Sequence, residues 1–206
     1  KLKSIRKKYT PKWIHFYTNR NGKRPTDKHW RDFIEDLKTP FGEICGYCEE
    51  SCRGEGDHFQ PISKFPKLVY EWENWIFSCH NCNNLKWNKW PSFGYVNPCS
   101  LKVAHRPEIY FKFDLVTGEI LARNGLKPTQ IKKAKNMISD LHLNEIFHLR
   151  KRIIWIGIMG LLVNHWKKFP DNKLEIEGHM RELCSDGAEL ISLSRAVLYD
   201  SGITLD

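Results

Sequence analysis

Two C-x-x-C pairs stand out in the chain: Cys45 and Cys48 in "CGYC", and Cys79 and Cys82 in "CHNC". Zinc takes four soft ligands in a tetrahedron, and a C-x-x-C turn presents two thiolates at a suitable separation without strain. A redox dithiol or a set of free buried thiols is the competing reading, but two such pairs favour a zinc site. With all four thiolates bound the ion has no open position, so its role is structural. Cys52 is a rival for Cys48, with a spacing less suited to a knuckle; Cys99 and Cys184 are lone and are assigned to packing. A zinc knuckle serves binding modules as readily as enzymes. The residues enclosed by the two pairs have to decide between them.

Those residues include the neighbours Asp57 and His58, the isolated Asn74 and, directly after the last cysteine, Asn83. Asp57 is a hard oxygen ligand, and His58 is a group that titrates near neutrality. Adjacent side chains on a strand point to opposite faces, so the pair does not share one target unless a bulge or twist turns one of them. With that turn, Asp57 holds a cation while His58 addresses a water beside it. Asn83, at a helix start pinned by the zinc pair, adds a second oxygen. Two protein oxygens with the other positions left to water and phosphate is a magnesium-like arrangement.

The ordered string C-x-x-C, D-H-F-x-P, N, C-x-x-C-N-x-x-K, from Cys45 to Lys86, resembles the ββα-metal motif of the HNH endonucleases. The resemblance implies an α+β core in which His58 is the general base and Asp57 and Asn83 are metal ligands. It makes Asn74 the brace of the loop between two strands, and Lys86 a candidate phosphate contact. Asn83 stands where the family name has its last His, and this H-N-N form favours magnesium or manganese over a transition metal. His80, inside the knuckle, is expected to face solvent. A looser likeness, in "YVNPC", "IYFKF" and "LHLNEIFHLRKR", is to the HNH subunits of bacterial Septu-type antiphage systems, which also accompany certain retrons. It implies a DNA-cleaving effector beside an SMC-like or ABC-type ATPase, with RNA as the other candidate target. Two readings without chemistry compete: a zinc-knuckle nucleic-acid-binding module, and a partner-docking subunit with vestigial catalytic residues.

Several elements must position these residues. Thr26 or Asp27 offers a cap for a helix carrying Trp30, Phe33, Ile34 and Leu37 at i, i+3, i+4 and i+7, ended by "TPFGE". Residues 56–59 and 75–78 read as short strands, with Pro61 and Pro66 bounding the loop between them. "NNLKWNKW" reads as a two-turn helix stopped before Pro91. "IYFKFDLVTGEIL" reads as a hairpin around a Thr-Gly turn. Beyond Pro128 the pattern is helical, with Ile131, Ala134, Ile138 and Leu141 on one face, Asn144 as a cap for the next helix, and a final helix from about Ala188 to Tyr199. The expected layout is a basic arm and helix over 1–40, a zinc-stapled core over 41–92, and a hairpin with a helical region over 93–206.

Charge points to the partner. The 206-residue chain carries a net charge of +9, and residues 1–38 hold twelve Lys or Arg against four Asp or Glu. With Trp13, Phe16 and Tyr17 interleaved, this stretch is expected to meet phosphates, through Lys7, Lys8 and Lys12. The opening "KLKSIRKKYT" contains no apolar signal core, and the apolar run Ile153–Val163 is too short for a bilayer and is expected to form a buried helix. An odd count of seven cysteines, four in C-x-x-C pairs, suits a reducing cytoplasm.

Overall fold

The computed structural model describes residues 1–19, 22–99 and 107–205. Its centre is a two-stranded antiparallel sheet, β1 (Glu55–His58) paired with β2 (Trp75–Ser78), followed by the short helix α3 (His80–Lys86). The register sets Asp57 opposite Ile76 and His58 opposite Trp75. β2 is buried along its whole length, so both faces of this small sheet are covered. Trp75 and Phe77 face a cluster with Trp13, Phe33, Leu37, Val69 and Tyr70, while Ile76 faces a second cluster containing Cys45, Cys48 and Cys82. Side-chain alternation therefore sends His58 and Asp57 into different layers.

The first layer comes from the N-terminal segment. Helix α1 (Leu2–Asn19) runs through Pro11, buries Trp13 completely and packs against the turn Pro66–Leu68. Helix α2 (Ile34–Phe41) follows a 3-10 turn at His29–Phe33, buries Leu37 and stops at Gly42, which takes the left-handed conformation. The expected cap at Asp27 is not formed. The Asp27 carbonyl instead accepts the Tyr70 hydroxyl at 2.6 Å and its carboxylate pairs with Lys12 at 3.3 Å, so the helix starts later.

The second layer extends well beyond the knuckle. Tyr95, Val96, a one-turn helix α4 (Pro107–Tyr110), the hairpin β3 (Phe111–Phe113)–β4 (Ile120–Ala122) and helix α5 (Pro128–Asp140) close over it through Tyr110, Ile120, Ala134, Met137 and Leu141. Asn144 does not cap the next helix; its amide brackets the Ile120 N–H and C=O at 2.8 and 3.0 Å. Helix α6 (Ile146–Lys168) packs on α7 (Lys173–Leu183) and α8 (Ile191–Asp200) through Met159, Val163, Ile176, Met180, Leu193 and Val197. The expectation of a buried helix over Ile153–Val163 holds for one face only. Ile154 is 65% exposed and Leu161 72%. No helix among the described residues is long and apolar enough to cross a membrane.

Candidate zinc and phosphodiester site

The four predicted cysteines converge. The sulfurs of Cys45, Cys48, Cys79 and Cys82 all lie within 4.8 Å of one another, and three of these residues are buried. Ligands at about 2.3 Å from a tetrahedral zinc stand about 3.8 Å apart, so the set fits that ion. The knuckle turn is built for it: Tyr47 N–H donates to the Cys45 sulfur at 3.4 Å, and Glu49 N–H to the Cys45 carbonyl at 2.9 Å. Hydrogen bonds from the neighbouring thiols, Cys48 first, pull the Cys45 pKa down while the contacts with Cys45 push Cys48 and Cys82 up, so the four thiols titrate as one linked set. Gly46 sits where a Cβ would meet Phe41 and Ile76 at 2.7 and 2.8 Å. Cys52 lies outside the cluster, and burial pushes its thiol up to about 12. Cys99 is exposed, which corrects its assignment to packing.

Helix α3 begins on this knuckle. The Cys79 sulfur accepts the Cys82 N–H at 3.4 Å and caps the helix, so it starts at His80 rather than after the last cysteine. It ends at Lys86 because Trp87 takes φ 41°, outside the helical range. His80 is exposed and pairs with Glu55 at 2.9 Å.

Asn74 spans the loop between the strands. Its amide accepts Gln60 N–H at 2.8 Å and donates to the carbonyls of Gln60 at 3.1 Å and Leu68 at 3.3 Å. Its own carbonyl accepts Phe59 N–H at 2.8 Å. One buried residue thus ties both ends of the loop to the start of β2.

His58 is 7% exposed and packs edge-on against Trp30 and Trp75, with ring centroids 4.9 and 6.3 Å away. Its Nε2 lies 2.8 Å from the Val69 carbonyl. A carbonyl only accepts, so Nε2 carries the hydrogen and Nδ1 keeps the lone pair. Burial lowers the His58 pKa to about 4, outweighing the raising effect of the Val69 carbonyl, so the imidazole is neutral at pH 7.

Asp57 faces the other layer. Its carboxylate accepts the Tyr47 hydroxyl at 2.6 Å and Lys86 Nζ at 2.8 and 3.1 Å, and Lys86 also donates to the His58 carbonyl at 2.6 Å. Lys86 is fully buried, which corrects the expectation that it meets a phosphate. Burial raises the Asp57 pKa, with Lys86 and Tyr47 pulling the other way. Asn83 is half-buried one turn before Lys86, on the same side of α3; its amide has no partner among the described residues. As they stand, these residues do not fit a magnesium centre. Both Asp57 oxygens are taken, and an ammonium already supplies the positive charge. The site joins Asp57 with Lys86 and Tyr47, and it separates all three side chains from the His58 imidazole. Neither Tyr47 nor the buried role of Lys86 was anticipated; a tyrosine inside the first C-x-x-C was the available signal.

Lys7, Lys8 and Lys12 are exposed on α1, and Lys8 and Lys12 both lie over the Tyr9 ring, at 5.0 and 4.8 Å from its centroid. The family model for the HNH endonuclease matches residues 45–89 of the chain. That span contains the knuckle, both strands and α3. No curated protein matches the chain.

Proposed function

We propose that this protein is an HNH-type endonuclease that hydrolyses phosphodiester bonds in DNA, and that it is the nuclease effector of an antiphage system. The observation that supports it most is the HNH match laid over a unit in which a four-thiol knuckle, two antiparallel strands and a capped helix occur in the family's order. His58 is the residue assigned to the proton transfer. It is neutral, and the Val69 carbonyl fixes its tautomer so that Nδ1 is the basic nitrogen. In-line attack by water on phosphorus needs that nitrogen within hydrogen-bond reach of the nucleophile, so Trp30 must move off His58 before substrate reaches it.

HNH domains use divalent metals, and magnesium or manganese is the ion this reading assigns. A carboxylate held by Lys86 and Tyr47 does not receive an ion in the arrangement seen here, so no step is routed through one. The basic face of α1, with Lys7, Lys8 and Lys12, supplies phosphate contacts that position the strand without reading its sequence.

The ATPase partner rests on the likeness of the longer chain to Septu-type subunits, supported by one surface. Helix α6 leaves Ile146, Phe147, Ile154, Ile158 and Leu161 exposed, an apolar stripe suited to a partner protein. The reading as a binding or docking subunit without chemistry draws on the same stripe and on the closed state of Asp57 and His58. Nicking of supercoiled plasmid separates the two readings. The enzyme converts it to open circle when magnesium or manganese is added and does so far more slowly as His58→Ala; the docking subunit leaves the plasmid intact under all conditions.

A further inference from the structure

Helix α1 and the segment from Gly22 to Asp27 face each other across an open groove of about 660 Å³, in the range of small-ligand sites. One wall carries Lys12, His15 and Phe16; the other carries Lys23 and Arg24. Among the described residues Asp27 is the one acid that lines it, and its carboxylate is already paired with Lys12 at 3.3 Å. Lys23 and Arg24 are exposed and make no ion pair among the described residues, so the groove keeps a surplus of positive charge there. His15 Nδ1 lies 2.9 Å from the Asn19 side-chain nitrogen. That nitrogen donates, so Nδ1 is the accepting nitrogen and Nε2 carries a hydrogen and is a donor. Arg24 is held over the buried Trp13 ring, 5.7 Å from its centroid. Phe16 is half-buried beside these groups and supplies an aromatic surface.

Cations, an imidazole N–H donor and an aromatic ring around one concave space are what an unstacked nucleotide requires. A base stacks on an aromatic face regardless of its identity, and the phosphates follow the cations. A base paired inside a duplex cannot lie flat on Phe16. The groove also has a structural link to His58. Trp13 packs on Trp30 with ring centroids 5.6 Å apart, and Trp30 packs on His58 at 4.9 Å. Two indoles therefore separate the groove from the assigned base.

We propose that this groove binds one unstacked nucleotide of a single strand, its base on Phe16 and its phosphates on Lys12, Lys23 and Arg24. The ligand class rests on the nuclease reading; the geometry of the groove does not. The test is fluorescence anisotropy with a labelled oligo-dT strand, on a His58→Ala background with no divalent ion added, so that cleavage does not interfere. Lys23→Gln with Arg24→Gln weakens binding by about tenfold or more and flattens its salt dependence by about 1.4 in log–log slope. Phe16→Ala weakens it by at least about fivefold with the slope unchanged. The charge-matched control Lys132→Gln with Lys135→Gln, exposed on α5, changes it less than about twofold. Circular dichroism and zinc content verify that each variant is folded.

Groove and control variants weakening alike, an unaffected Phe16→Ala protein, or an acidic peptide competing as well as the oligonucleotide would each overturn the proposal. Failure of the enzyme reading looks different: binding follows this pattern while plasmid stays intact. A protein that cuts through His58 but ignores the groove variants loses the groove alone.

Discussion

Asp57, Lys86 and Tyr47 form a buried set in which each charge depends on the others. Desolvating a carboxylate and an ammonium is costly, and their mutual attraction repays it only while both are present. Lys86→Met strips Asp57 of its counter-charge, leaving the Tyr47 hydroxyl as its side-chain donor, and removes the Lys86 donor from the His58 carbonyl; a loss of about 3–5 kcal/mol in urea denaturation is expected. Adding Asp57→Asn removes the stranded charge, so the double variant recovers much of that loss. A double variant no better than Lys86→Met would show that the pair is not coupled. His58 gives a second prediction, read in pH. Its folded pKa of about 4 lies below the ordinary 6.5, so the unfolded chain binds the extra proton between those values. The stability it contributes is complete above pH 6.5 and is lost as pH falls toward 4, by up to about 3 kcal/mol. Asp57 and Glu49, whose pKa values burial raises, act in the opposite sense over the acid range. His58→Gln should therefore flatten the wild-type decline between pH 6.5 and 4, and an unchanged slope would contradict the assigned burial.

At the scale of elements, the loop between β1 and β2 is governed by one side chain. Asn74→Ala leaves Gln60 N–H without its acceptor and the Gln60 carbonyl without its donor, and leaves the Leu68 carbonyl with the Glu71 N–H alone, a loss of about 2–4 kcal/mol. Hydrogen exchange should quicken at Gln60 first, with zinc content unchanged; an undisturbed loop would remove the bracing role. The knuckle, the strands and the order of α3 after them were legible in the chain because spacing alone brings four thiols together. The orientation of Asp57 and His58 was legible in part, since alternation on a strand already sets them apart. What Asp57 meets was not, because Tyr47 and Lys86 approach from two other elements. Helix starts were misread for the same reason. Asp27 is drawn to Tyr70 and Lys12, and Asn144 to β4; both are used as tertiary brackets instead of caps. Leu190 N–H donates to the Glu49 carbonyl at 2.8 Å, which delays α8 until Ile191. Helix α7 escaped notice because its buried stripe is little more than Ile176 and Met180.

Across the whole molecule, the knuckle is also the point where the C-terminal helices are fastened. Glu49 accepts the Ser192 N–H and hydroxyl at 2.9 and 2.5 Å, Glu50 meets His148 and Lys151, and Glu189 accepts Ser51 N–H at 2.8 Å. Metal that stabilises the turn therefore stabilises the docking of α6 and α8 as well. Stripping metal from the four thiols with a chelator should raise hydrogen exchange in β1–β2 and at Ser192–Ser194 together; loss confined to the knuckle would show the lobes to be independent. The exposed stripe on α6 belongs to this scale too. On the proposed partner reading, Leu161→Asp should leave the melting temperature within a few degrees of wild type while abolishing copurification of ATPase activity. The basic surplus in residues 1–38 was visible in composition, but its packing as a helix on the loop over His58 was not, since that contact depends on Trp13 and Trp30.

The most direct measurement is single-turnover cleavage of an end-labelled DNA by wild type and His58→Ala, matched for zinc content and circular dichroism, with magnesium or manganese present. Proton transfer by a placed side chain contributes about 10²–10⁴-fold. A fall of that size, with DNA binding retained and 5′-phosphate ends in the wild-type product, is the predicted result. Equal cleavage by the two proteins, or none by either, would contradict it.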